Sequence, residues 1–330
     1  MKRLTIFLIT AGFIAGMPGC APGPVQIRDW YDLHAIRNDV AGSYLLMNNL
    51  DSATAGYTEL ASATANEGKG WEPIGTPDHG FTGVFNGQGY TIRYLFINRP
   101  DQDFVGLFAD ISWIRYIDNV GVVENVGVVD ARVTGFSQVG ALAGYNEGIV
   151  NNSYSTGTVT GDSFVGGLVG WNQATLSNSY SDCSVTGDSR IGGLTGDNWY
   201  HRCIVSNCYS TGSVAGSTQV GGLVGHNRWA SSVSNSYSTG SVTGSIQVGG
   251  LVGYNTATVR NSFWDTLTSG QTSSAGGTGK TTAEMKSIAT SSGAGWNIIA
   301  VANSSTRNTS YIWNIIDGQT YPFLSWETIS

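Results

Sequence analysis

Charge is scarce in this sequence. Only 12% of the 330 residues are charged, the formal net charge is -7, and Lys and Arg cluster nowhere beyond Lys2 and Arg3. Nothing here would neutralise a phosphate backbone, so nucleic-acid binding is not expected. Histidine is also thin: His34, His79, His201 and His226 stand in unrelated contexts, and no Gly-x-Ser-x-Gly elbow occurs. Asp162 and Asp188 hold equal places in adjacent repeats, but Ser217 and Ser245 follow in register; two such carboxylates read as solvated rather than as a metal site. Ser274 to Thr281 approximates a phosphate-binding loop, yet Ser274 replaces its first glycine and no buried strand precedes it, so it reads as a flexible linker. A non-enzymatic chain with no catalytic residue, metal or cofactor is expected. The apolar run from Leu4 to Ile14 is too short to be a persuasive membrane span.

What the sequence has is repetition. Val165-Gly166-Gly167-Leu168-Val169-Gly170-Trp171-Asn172 recurs as Val139 to Asn146, Ile191 to Asn198, Val220 to Asn227 and Val248 to Asn255, with steps of 26, 26, 29 and 28 residues. A second phrase, Asn151-Asn152-Ser153-Tyr154-Ser155, follows each copy and has counterparts starting at Ser177, Ser206, Ser234 and Arg260. Between them, runs of four to six strand-forming residues alternate with Gly, Asn, Ser and Thr, with no helical period. Units this short cannot bury a core alone, so they must stack, with backbone groups paired to the coil above and below at roughly 4.8 Å. The expected fold is all-β: a parallel β-solenoid of coils of roughly 26–29 residues. Gly161, Gly187, Gly216, Gly244 and Gly270 are expected at corners with positive φ.

Stacking places like residues in columns. Asn146, Asn172, Asn198, Asn227 and Asn255 should form one ladder, and Asn152, Asn178, Asn207, Asn235 and Asn261 another. Tyr154, Tyr180, Tyr209, Tyr237 and Phe263 form a third column. It shares alternation parity with Val150, which favours burial; turned outward, it would be a strip able to dock sugar rings or protein. The column Tyr145, Trp171, Asp197, His226 and Tyr254 varies, as a solvent-facing position would, and Trp199 and Trp229 lie in or beside the loops that lengthen the third and fourth coils. Insertions in solenoids collect on one face. Trp171, Trp199, His226, Trp229 and Tyr254 are therefore the candidate ligand-binding residues, and a glycan or a surface protein the candidate partner; plain loop decoration is the alternative.

The ends differ from the array. Met1 to Cys20 reads as an export signal, and Met17-Pro18-Gly19-Cys20 resembles the lipobox of bacterial lipoproteins. That resemblance implies lipidation of Cys20 and a membrane-anchored, extracytoplasmic protein at the cell surface or outer membrane; a plain secretory signal is the alternative. Residues 21–26 would be a tether, 27–135 an N-terminal cap and irregular coils, 136–270 the regular repeats, and 271–330 a linker, short helix and C-terminal cap. Asp29 should cap a helix over Trp30 to Val40 with Trp30, Leu33 and Ile36 at helical spacing, a lid for the open end. Tyr44 to Met47 should be a strand, and Val105-Gly106-Leu107-Phe108 a divergent first copy of the repeat phrase. Thr282 should cap a helix over Ala283 to Ile288, and the aromatic tail, Trp296 to Trp326, should close the far end. Of the other cysteines, Cys203 and Cys208 form a disulfide across the longer loop or, with Cys183, are small buried thiols. A monomer is expected.

Gly166-Gly167-Leu168-Val169-Gly170 followed by Asn178-Ser179-Tyr180 resembles the GLUG repeat of bacterial surface proteins, adhesins and the non-catalytic part of streptococcal IgA-cleaving metallopeptidases. The resemblance covers roughly residues 44 to 326 and includes the flanking phrases Trp71 to Gly75, Phe81 to Leu95, Thr281 to Met285 and Tyr321 to Trp326. It implies a secreted or surface β-solenoid with no shared catalytic residues, and the His-Glu-x-x-His of the peptidases is absent. Three functions stay open: an adhesive or ligand-binding scaffold, a carbohydrate-active β-helix lyase or hydrolase, and a structural spacer.

Overall fold

The computed structural model describes residues 23–114, 119–200 and 202–327; Cys20 and the rest of the leader lie outside the described residues, as does His201. The repeats stack as a parallel β-solenoid. Each regular coil contributes four strands, for example Ser163–Gly166, Val169–Asn172, Thr175–Ser177 and Tyr180–Thr186, to what we call the first to fourth sheets. Residues 26 apart meet in register, Val165 against Ile191 and Leu176 below Val150, and the extra residues of the longer coils leave the register intact because Asn198 still meets Asn227. Leu142, Leu168, Leu194, Leu223 and Leu251 are all fully buried. Each of the first four donates its N–H to the carbonyl of the next at 2.9–3.0 Å, so they share one environment.

The first asparagine ladder forms as expected. Asn146 Nδ2 donates to Asn172 Oδ1 at 2.7 Å, and Asn172 to Asn198, Asn198 to Asn227 and Asn227 to Asn255 at 2.8 Å. A buried amide is costly unless paired, and its copy one strand away supplies the partner. The second asparagine column works differently: Asn152, Asn178, Asn207, Asn235 and Asn261 all take left-handed backbone, φ 46–53°. Asn178 Nδ2 donates to Asn151 Oδ1 rather than to its own copy.

The corners correct one expectation. Only Gly270 among the repeated glycines has positive φ; in the regular coils the left-handed residues stand three places later, at Phe164, Arg190, Gln219 and Gln247. Gly161 is needed for space: a Cβ there would lie 2.9 Å from Val139 Cγ2 and Val165 Cγ2.

At the N-terminal end, helix α1 (Trp30–Ala35) is capped by Asp29, which accepts from Asp32 N, and a 3-10 turn to Asn38 ends it short of Val40. Trp30, Leu33 and Ile36 are buried as a lid. The tether is shorter than residues 21–26, since Val25–Ile27 is already a strand paired with Ser43–Leu46. Val105 bridges Val139 and Phe108 pairs with Ala143, so the divergent first copy is a true coil.

The stretch after Gln271 is not a loose linker. Gly250 N donates to Ser273 O, Ala275 N to Val252 O, and Thr278–Lys280 pairs in parallel with Phe263–Asp265, so this segment forms the last rung. Helix α2 (Thr282–Met285) starts one residue early, with Thr281 and Glu284 forming a capping box. The aromatic tail then corrects its expected place. It does not lie across the end of the core; it folds back along the fourth sheet as a lobe carrying the strands Ile298–Ala300, Trp313–Ile315 and Phe323–Leu324.

The reason lies in the tyrosine column. The left-handed Asn152 resets the alternation, so Ser153 and Ser155 point inward and Tyr154 outward. Parity with Val150 misleads because it counts across that corner. Tyr154, Tyr180, Tyr209 and Tyr237 stack with centroids 4.7–5.0 Å apart and planes within 13°. Tyr209, Tyr237 and Phe263 are buried, but under the lobe. Tyr209 OH donates to Glu327 Oε2 at 2.8 Å, Tyr237 OH to Pro322 O at 2.6 Å, and Trp326 Nε1 to Asn178 O at 3.1 Å.

The three described cysteines are free and buried, so the disulfide is not present. Cys208 points inward where Ser179 does one coil earlier, its Sγ donating to Ser206 O as Ser179 Oγ donates to Ser177 O. Burial pushes its thiol up to about 12.

Candidate ligand-binding face

The second sheet carries the varied column in register: Asp110, Tyr145, Trp171, Asp197, His226 and Tyr254. The repeat phrase sets these side chains outward, because Asn172 and its equivalents beside them point into the core. Above this sheet the insertions of the third and fourth coils rise, Trp199 pairing with Arg228 at their base.

The predicted residues converge. Trp171 stacks on Trp199 with centroids 5.4 Å apart and planes 6° from parallel, and Trp229 meets Trp199 edge-on at 6.0 Å. Tyr254 lies 5.2 Å from His226. Trp229 is the outermost, 56% exposed. Phe164 stacks on Trp171 at 5.3 Å and Tyr145 flanks it at 5.1 Å. Two cations complete the face: the Arg228 guanidinium sits 3.6 Å from the Trp199 ring centre and that of Arg190 4.5 Å from Phe164.

The column is not solvent-facing throughout. Asp197 and His226 are buried, with His226 Nδ1 3.1 and 3.2 Å from the two Asp197 oxygens and Arg190 Nη1 3.8 Å from Asp197 Oδ2. Their own coils supply the longer loops that cover them. His226 is thus a positioning residue under the surface rather than a contact group. Among the described residues, Trp171 Nε1, Trp199 Nε1 and Arg228 Nε are buried donors without an acceptor, a cost that a surface built only for stability would avoid.

Sequence reasoning missed Arg190 and Arg228. Arg190 occupies the left-handed corner that Phe164, Gln219 and Gln247 fill in other coils, a signal visible only once corners are aligned three residues after the glycine. It also missed the acids. Burial pushes the Asp110 carboxyl up to about 7, with the Glu147 charge adding and the hydrogen bond from Ser112 opposing. Tyr145 OH donates to Glu147 Oε1 at 3.2 Å, and Glu147 lines a cavity of about 420 Å³ together with Trp113, Tyr200 and Arg202. Asp110 itself is buried. Among the described residues no group of His, Cys, Asp and Glu is arranged to hold a metal, and no helix is long and apolar enough to cross a membrane.

The family model of the GLUG motif matches residues 137–160 and 216–243. The chain carries the GLUG motif. The chain has relatives: Halomucin of Haloquadratum walsbyi is 36% identical over 146 residues, 42% of this chain and 2% of that protein. A protein of Evansella cellulosilytica described as a Gly-rich membrane protein is 32% identical over 138 residues, 42% of this chain and 15% of its own length. This GLUG chain therefore spans a small part of these curated relatives. A crystal structure described as an immunoglobulin A1 protease from Bacteroides ovatus superposes with a TM-score of 0.63 over 92% of this chain and 93% of its own, at 18% identity, which is a likeness of fold.

Proposed function

We propose that the protein is a non-enzymatic scaffold of the bacterial cell surface, held to a membrane by lipid on Cys20, whose solenoid presents the Trp171 face to a glycan or protein ligand. The observation that carries this reading is the stack of Trp171, Trp199 and Trp229 with Arg228 against it. Large aromatic planes with an arginine on them are the groups that anchor interfaces at least conformational cost. The description of one relative as a Gly-rich membrane protein and the export-like leader support a place at the envelope.

Glycan arrays and cell-adhesion assays on the protein test the binding role. Retention that falls with Trp199→Ala and Trp229→Ala is expected; retention unchanged by both would defeat it. Radiolabelled palmitate incorporation lost on Cys20→Ala tests the anchor.

One observation favours an enzymatic alternative: Glu147 lines a cavity, and its charge acts on Asp110, whose carboxyl burial pushes up to about 7. Acid–base cleavage of a sugar chain needs two carboxyl groups that reach the substrate, and Asp110 is covered. Release of reducing ends from polysaccharides, abolished by Glu147→Gln, would establish that reading over the scaffold.

A further inference from the structure

The stacked tyrosines of the fourth sheet stop short. Their column continues in register from Tyr154 to Gly127 and Thr91, where the chain supplies no further ring. Gly127 is not required by its backbone, which is not left-handed. What matters is the missing side chain, since the Tyr154 ring packs over Gly127 and a Cβ there would stand 2.4 Å from its Cε1 and Cζ. At this end of the ladder Gly127, Tyr154 and Trp326 line a cavity of about 440 Å³, within the range of small-ligand sites.

Amides and aromatic planes line this cavity. Asn125 Nδ2 donates to Asn86 Oδ1 at 3.2 Å, Asn152 Nδ2 to Asn125 Oδ1 at 3.1 Å, and Gln88 Nε2 to Leu46 O at 2.7 Å. These bonds fix the direction of each amide, and Gln88 Nε2 also donates to Met47 Sδ at 3.6 Å. Opposite them, Trp326 is pinned by its N–H to Asn178 O, and its ring lies 6.2 Å from Tyr154 at 40°. No described residue lining the cavity carries a formal charge.

We propose that this slot binds one neutral sugar unit of a glycan chain, its ring packed against Tyr154 and Trp326 at the end of the tyrosine ladder. A pyranose presents a C–H face to an aromatic plane, and its hydroxyls both donate and accept, which matches amides that do the same. The lining offers a phosphate, sulfate or uronate no cationic partner, and the Glu124 carboxylate behind Asn86 disfavours an anion. The site lies where the third sheet turns into the fourth and shares no residue with the Trp171 face, so it stands independently of that reading.

Isothermal titration of the full-length protein with neutral cello-, malto-, xylo- and chito-oligosaccharides, and with acidic oligogalacturonates, tests the proposal. At least one neutral series is expected to bind, at least tenfold more weakly to Gly127→Ala, whose methyl must displace the Tyr154 ring, and with unchanged affinity to Leu267→Ala, an exposed change outside both faces. Tyr154→Leu removes the ring and should weaken binding equally; it carries the test if Gly127→Ala does not fold by circular dichroism. Binding of acidic oligomers alone, no binding of any neutral series, or wild-type affinity in the folded slot variants would each overturn it. Loss in Trp229→Ala with wild-type affinity in the slot variants would place sugar binding on the Trp171 face instead.

Discussion

Two columns of aromatic residues climb the same solenoid; one lies mostly under a single lobe and the other is covered only in patches. On the fourth sheet the residue repeats, four tyrosines and a phenylalanine, so flat rings stack at the spacing of the strands that carry them. The product is a continuous apolar strip, which a soluble surface does not leave bare, and the C-terminal lobe lies on it. On the second sheet the residue changes at every coil, from Tyr145 to Trp171, Asp197, His226 and Tyr254. No single lid fits such a column, so it is patched by local loops and stays partly open. Repetition made a structural surface; variation made a chemical one.

If the tyrosine strip exists to hold the lobe, its central contact should be the most sensitive point. Trp313 is buried against Tyr209, Tyr237 and Trp296, and Trp313→Ala should cost about 3–5 kcal/mol. Calorimetry should show the lobe melting ahead of the coils, with proteolysis confined to residues after 281. One concerted transition would mean that lobe and coils are a single unit, and the contrast between the columns would lose its meaning.

On the other column, Asp197→Ala removes the partner of buried His226 and of Arg190. A loss of about 3 kcal/mol is expected, read by chemical denaturation, with Trp199 and Trp229 becoming accessible to fluorescence quenchers. An unchanged quenching profile would show that the loops stand without the pair beneath them.

The lobe should also answer to pH. Burial pushes the Glu327 carboxyl up to about 7 from an ordinary 4.5, against the hydrogen bonds from Leu324 N and Tyr209. The folded state then holds a proton that the unfolded state releases, so stability is highest below pH 4.5, falls as pH rises through that interval, and levels off above about 7. The loss from this group is on the order of 3 kcal/mol. Melting temperatures from pH 4 to 8 should show the fall in wild type, and Glu327→Gln should flatten this part of it. An unchanged slope in Glu327→Gln would assign the effect to another acid such as Asp110.

The smallest effect on stability belongs to Trp229→Ala, within about 0.5 kcal/mol because the side chain is largely exposed. The same change should lower retention on a ligand surface, separating recognition from folding. A large loss of stability would instead make Trp229 part of the loop's own packing.

Much of this was legible beforehand. The leucine and asparagine columns, the capping helix at Trp30 and the hidden first copy at Val105 follow from spacing, because a coil of fixed length must set equal positions one above another. Trp171, His226 and Tyr254 were found by the opposite signal, variation at one register position, and Trp199 and Trp229 by the insertions beside it; Trp171, Trp199 and Trp229 do meet. What could not be seen was direction. Left-handed corners at Asn152 and Phe164 break the alternation of sides, so counting by twos failed for Tyr154 and counting glycines misplaced the corners.

The sequence by itself determined the register of the coils, since identical residues at a constant interval can share an environment only by stacking. Which side each column faces, that the tail lies along the tyrosines instead of across the end, and that Arg190 and Arg228 join the tryptophans were decided by tertiary structure. Those outcomes depend on corner dihedrals and on contacts between residues far apart in the chain, as between Trp326 and Asn178, 148 residues apart, and neither is written in any local pattern.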